Sequence, residues 1–82
     1  MTYVTEPMGD TFRSILDALY GILMQAIEDG ADESDCSSVR EEILNDILTT
    51  PYPTKKLLAE GGYVVRVDGG FLDVGYLLSE RF

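Results

Sequence analysis

Tyr63-Val64-Val65-Arg66-Val67-Asp68-Gly69-Gly70-Phe71-Leu72-Asp73-Val74-Gly75-Tyr76-Leu77-Leu78 is the stretch whose reading sets the fold. Two apolar-rich runs, Tyr63–Asp68 and Phe71–Leu78, flank Gly69-Gly70, a pair that tolerates the positive φ of a two-residue hairpin turn. This register sets Asp68 against Phe71, Val67 against Leu72, Arg66 against Asp73, Val65 against Val74 and Tyr63 against Tyr76. One face then carries Tyr63, Val65, Val67, Leu72, Val74, Tyr76 and Leu78, and the other an Arg66–Asp73 cross-strand pair. The competing turn, Asp68-Gly69, sets Val64 against Asp73 and loses that pair, so the Gly69-Gly70 turn is preferred. A one-residue slip would scramble the buried face.

A hairpin alone is marginal in water, so it must pack on helices. Immediately before it, Thr54–Glu60 reads as a helix of two turns, capped by Thr54 and stopped by Gly61-Gly62. Upstream, Ser38-Val39-Arg40-Glu41 has the form of a capping box and opens a helix with Val39, Ile43, Leu44, Ile47 and Leu48 on its buried side. Pro51 and Pro53 end it. An acidic loop, Ala31–Ser37, precedes it. The first helix should run from about Thr11 to Asp29, with Asp10 or Thr11 as N-cap and Gly30 at the left-handed position after its end. Its apolar residues cover an arc of about 200°, wider than a surface helix needs. Either the other elements wrap this helix, or the edge of the arc, Tyr20 and Met24, faces a partner. Tyr3-Val4-Thr5 reads as a short strand, ended by Pro7 and Gly9, that could add a third strand to the hairpin.

The reading is one α+β domain spanning residues 1–82: two amphipathic helices and a short third helix packed on a C-terminal antiparallel β-hairpin. The order of elements also matches a winged helix-turn-helix in outline, and no family motif is recognised. A chain of 82 residues buries only about 60% of its unfolded surface, so its stability margin is thin. A hydrophobic content of 45% still argues against disorder. A partner or self-association would supply further burial.

Several functions are set aside by residue type. There is no histidine, so His-based acid–base or nucleophilic machinery is excluded. Cys36, the only cysteine, follows Asp32, Glu33 and Asp35, whereas a reactive thiolate wants cationic neighbours. No phosphate-cradling glycine motif occurs. Zinc is implausible with one Cys and no His. Calcium-loop registers starting at Asp29 or Asp32 lack both the turn glycine and the terminal glutamate. Neither catalytic nor metal-ligating residues are therefore assigned, no cofactor is expected, and the expectation is a non-enzyme. A lone cysteine fits a reducing compartment, and the chain shows no signal peptide and no apolar run of membrane-spanning length, so a cytoplasmic protein with no membrane partner is expected.

Charge supplies the one feature that stands out. The net charge is −9, from 15 acids and 6 bases. Between Glu28 and Asp46 lie eight acids (Glu28, Asp29, Asp32, Glu33, Asp35, Glu41, Glu42 and Asp46) against Arg40 alone, so seven of the nine net charges sit in one segment. Glu41 and Glu42 have local reasons at the start of a helix. Glu28 and Asp29 do not, because a helix C-terminus disfavours anions by about 0.3–1 kcal/mol. Glu42 and Asp46, like charges at i and i+4, cost about 0.2–0.5 kcal/mol.

The natural use of such a segment is to present carboxylates to a Lys/Arg-rich site as phosphates would. Direct nucleic-acid binding is disfavoured, since Lys55, Lys56 and Arg66 are outnumbered by acids. In size and charge the chain is similar to small acidic inhibitors encoded by phages, anti-CRISPR proteins and other DNA mimics among them; this is a likeness of class, not of sequence. The partner-binding candidates are Glu28, Asp29, Asp32, Glu33, Asp35, Glu42 and Asp46, with Tyr20, Met24 and Tyr52 as apolar anchors. The alternatives are a homo-oligomeric assembly adaptor, with Gly21 permitting close approach of helices, and a winged-helix transcription regulator.

Overall fold

The computed structural model describes the backbone of residues 5–51 and 53–81 and the side-chain environments of 12–51 and 53–81. Helix α1 spans Thr5–Glu28, α2 Glu33–Thr49 and α3 Thr54–Glu60. A hairpin of β1 (Val64–Val67) and β2 (Gly70–Asp73) follows, and then a fourth helix, α4 (Val74–Ser79). The domain is α+β, and its described residues form one two-stranded antiparallel sheet.

Helix α1 begins earlier than its sequence suggests. Asp10 and Thr11 lie inside it and are not its N-cap. Pro7 and Gly9 do not end a strand; they are helical, and Thr5 with them. Pro7 is tolerated because it stands third in the helix, where backbone N–H groups have no intrahelical acceptor to lose. Tyr3 and Val4 lie outside the described residues.

Helix α2 also starts early, at Glu33 with Asp32 as N-cap, so Ser38 and Glu41 form no capping box. The loop contracts to a tight turn in which Ala31 N–H donates to Ala26 C=O at 2.9 Å. Starting at Glu33 puts Cys36 in phase with Val39 and Ile43, all three buried. Burial of Cys36 and the favourable placement of Glu33 and Asp35 in the first turn outweigh the later cap. The helix ends as expected at Thr49, and α3 has the expected bounds, with Pro53 rather than Thr54 at its cap position.

The hairpin adopts the competing register. Val64 faces Asp73, Val65 faces Leu72, Arg66 faces Phe71 and Val67 faces Gly70, so the turn is Asp68-Gly69 and positive φ falls on Gly69 and Gly70. The shift between the two registers is two residues, not one, so each side chain keeps its face and alternation cannot tell them apart. The Arg66–Asp73 pair, worth about 0.2–1 kcal/mol, was the only discriminator, and it is not formed. Asp73 instead accepts the Tyr76 N–H at 2.9 Å as the N-cap of α4, and the Arg66 guanidinium lies 5.9 Å from the Phe71 ring centre.

That cap ends β2 at Asp73, so the expected strand Phe71–Leu78 is half strand and half helix. Val74, Gly75, Leu78 and Ser79 are buried, a helical spacing, while Tyr76 is half exposed and not part of a buried strand face. Helix α4 packs chiefly on α3 and also on α1.

One core joins these elements. Ile15, Leu19, Ile22, Leu23 and Ala26 of α1 meet Cys36, Val39 and Ile43 of α2, Leu58 of α3, Tyr63 and Val65 of the hairpin, and Val74 and Leu78 of α4. Tyr63 is central. Its carbonyl accepts the Val74 N–H at 2.8 Å, and its ring lies where side chains at Gly61 and Gly75 would be.

Candidate acidic surface and apolar groove

The acids of the Glu28–Asp46 segment are carried by the end of α1, the turn and α2. Seven of the eight are exposed; Asp46 is the half-buried exception. At 100° per residue, Asp35, Glu42 and Asp46 fall on one flank of α2, roughly 10 Å and 6 Å apart along the axis. Glu33, Ser37 and Arg40 fall on the other flank, against α1. The candidate site is thus two surfaces rather than one.

On the first flank Asp46 has an internal role. The Tyr63 hydroxyl donates to its Oδ2 at 2.7 Å. Burial, that hydrogen bond and the charges of Asp46 and Glu42 push the Tyr63 phenol well above its ordinary range. The Glu42–Asp46 repulsion therefore has a structural counterpart: Asp46 is the hydrogen-bond acceptor for a buried tyrosine. Sequence reasoning gave Asp46 to a partner because Tyr63 is 17 residues away.

At the turn the structure adds an acid that sequence reasoning missed. Asp68 N–H donates to Asp29 C=O at 2.9 Å, which docks the hairpin tip on the end of α1. A Cβ at Gly30, where φ is 102°, would come within 2.6 Å of the Asp68 carboxylate. Asp68 therefore extends the acidic end formed by Asp29 and Asp32. The signal for it was the Asp68-Gly69 turn, which places Asp68 at the tip. Among the described residues, no group of three or more Cys, Asp or Glu could hold a metal ion.

The second surface is apolar. Tyr20 is 68% exposed and Met24 43%, and with Leu23 and Ile27 they line a shallow groove of about 200 Å³ whose other wall is Glu33, Cys36, Ser37 and Arg40. The wide apolar arc of α1 is therefore only partly wrapped by this chain. Gly21 faces away from this groove, toward another lined by Gln25, Asp29, Leu72 and Glu80. Tyr52 lies outside the described residues.

Cys36 is buried. Desolvation, followed by the charges of Asp35, Asp32 and Glu33, pushes its thiol up. Both effects disfavour the thiolate, and the α2 N-terminus does not reverse them. Lys55 and Lys56 are exposed on α3, and Arg66 is exposed on the hairpin. No helix among the described residues is long and apolar enough to cross a membrane. The fold and the surface together define a small acidic α+β domain with two distinct exposed features. Comparison with protein-family models, curated proteins and solved structures finds no match.

Proposed function

We propose that the chain is a non-enzymatic binding protein of the cytoplasm that presents carboxylates from the α1–α2 turn and the outer flank of α2 to a basic site on another protein. The site is one that ordinarily receives nucleic acid, and occupation by this domain excludes that ligand, as a nucleic-acid-mimicking inhibitor of the phage anti-defence type would. The observation that carries the reading is the exposure of seven of the eight acids in one continuous segment. Asp68 enlarges that charge at the turn. Asp32, Glu33 and Asp35 sit at the positive end of the α2 dipole, so the helix presents them without the penalty they would incur elsewhere. A rigid helix is a suitable support, because preorganised charge loses less freedom on docking.

The test neutralises Asp29, Asp32, Asp35 and Glu42 together, as Asn or Gln, in the tagged protein. All four are exposed, so the fold should remain. Capture of a partner from lysate should be lost in this variant, and capture by the unaltered chain should fall steeply as salt rises. Undiminished capture by the neutralised variant would overturn the proposal.

A further inference from the structure

We infer that the Leu16–Tyr20–Met24 face of α1 is a homodimer interface, in which α1 of a second copy packs antiparallel about Tyr20. The inference rests on a different face of α1 and shares with the acidic segment its α1 end, Glu28 and Asp29. At 100° per residue, Arg13, Leu16, Tyr20, Met24 and Ile27 fall within an arc of about 80° on α1. Their spacings along the chain are three, four, four and three, so the set is palindromic about Tyr20. A two-fold axis at Tyr20 lays Leu16 of one copy on Met24 of the other, Tyr20 on Tyr20, and Arg13 beside Ile27. Self-complementarity of this kind is what an isologous interface requires.

Charge selects both the occupant and the direction. Arg13 is the only basic residue of α1, and the last turn of that helix has none. In the antiparallel pair the Arg13 stem lies along Ile27 of the other copy, and its guanidinium reaches Glu28 there. A cation is thereby supplied to a helix C-terminus that carries Glu28 and Asp29 and lacks one of its own, which gives the acids with no local reason a counterpart. A parallel pair would set Arg13 against Arg13 and Glu28 against Glu28.

Arg40 borders the same groove together with Glu33, and exposed Asp17 lies beside Arg13 and Met24 on α1, so this face is flanked by two bases and two acids, unlike the turn, where acids stand without a base. Two copies of a chain with net charge −9 meet there with less repulsion than at the acidic turn. The exposed apolar side chains are available for this: Tyr20 at 68% and Met24 at 43% exposure stand open in the single chain. Gly21 faces elsewhere and takes no part in the contact.

Sedimentation equilibrium of the purified chain, from about 1 μM to about 1 mM, reads the result. The mass should rise from 9.1 kDa toward twice that value. Tyr20→Glu should weaken dimerisation at least about tenfold while leaving the far-ultraviolet circular dichroism unchanged. Arg13→Glu alone and Glu28→Arg alone should each weaken it, and the double charge swap should restore it, because the swap recreates both ion pairs. Gly21→Ala should dimerise as the unaltered chain does. A monomer at every concentration, or a dimer indifferent to Tyr20→Glu, would overturn the interface. Failure of the double swap to restore dimerisation would overturn the antiparallel register. Retention of salt-sensitive lysate capture by Tyr20→Glu, with dimerisation lost, would separate this face from the acidic one.

Discussion

One methyl group added at Gly75 should destabilise the domain, although glycine is a poor helix residue and Gly75 is in a helix. In open space the Gly→Ala change would favour α4 by about 1 kcal/mol. Here the added Cβ would overlap the Leu58 carbonyl oxygen of α3 and stand 2.7 Å from Cδ2 of Tyr63. Neither neighbour can yield easily: one is helix backbone, and the other is a ring 3% exposed and fixed by its hydroxyl on Asp46. Overpacking of this kind costs about 1–3 kcal/mol, with backbone contacts at the upper end, so the net loss should be about 2 kcal/mol. For a domain of this size that corresponds to a Tm lower by roughly 8–16 °C. Gly21 is the internal control, since nothing lies within 4 Å of its Cβ position and it is exposed in α1. Gly21→Ala should raise stability by about 0.4–1 kcal/mol. Urea unfolding at one protein concentration, followed by far-ultraviolet circular dichroism, measures both. If Gly75→Ala proves as stabilising as Gly21→Ala, the α3–α4 contact is wrong, and the reading of residues 71–78 as one strand, with Gly75 on the solvent face, regains its standing.

Tyr63→Phe should cost about 1–2 kcal/mol by thermal or urea denaturation, because it removes a hydrogen bond to a partly exposed carboxylate. Since the Tyr63 phenol is raised in the folded state, the folded chain holds its proton when the unfolded chain begins to lose it. Stability should therefore be intact below about pH 10, where free tyrosine titrates, and should decline above it. Tyr63→Phe should flatten that alkaline decline; an unchanged slope would contradict the assignment. Cys36 should react with a thiol reagent at least about tenfold more slowly in the native chain than in urea, and equal rates would refute its burial among the core side chains.

Much of the fold was legible because local chemistry and tertiary packing agree in it. Thr54–Glu60 lies between a proline and a glycine pair, and its helix has those bounds. The two prolines end α2 where expected. The misreadings share a cause, which is that short segments admit two periods. Val74 and Leu78 share a face both at period two and at period 3.6, so six residues do not separate strand from helix; the Asp73 cap and the burial of Gly75 decide it. Likewise the polar run Asp32–Ser37 looked like loop because its only core side chain is Cys36. For the candidate site, the width of the apolar arc on α1 admitted both a helix wrapped by the rest of the chain and an edge left open, and the exposure of Tyr20 and Met24 shows that the wrapping is incomplete. The division of the acids between two flanks of α2, and the pairing of Asp46 with Tyr63, depend on contacts between distant segments that composition does not carry.

The acidic surface is tested most directly by measuring partner capture against salt with the unaltered chain and with Asp29, Asp32, Asp35 and Glu42 neutralised. The account predicts that one partner, itself a nucleic-acid-binding protein, is held by the unaltered chain at low salt, released as salt approaches ~1 M, where screening reaches ~3 Å, and never held by the neutralised variant. A partner retained at ~1 M salt, or bound equally by the neutralised variant, would contradict it.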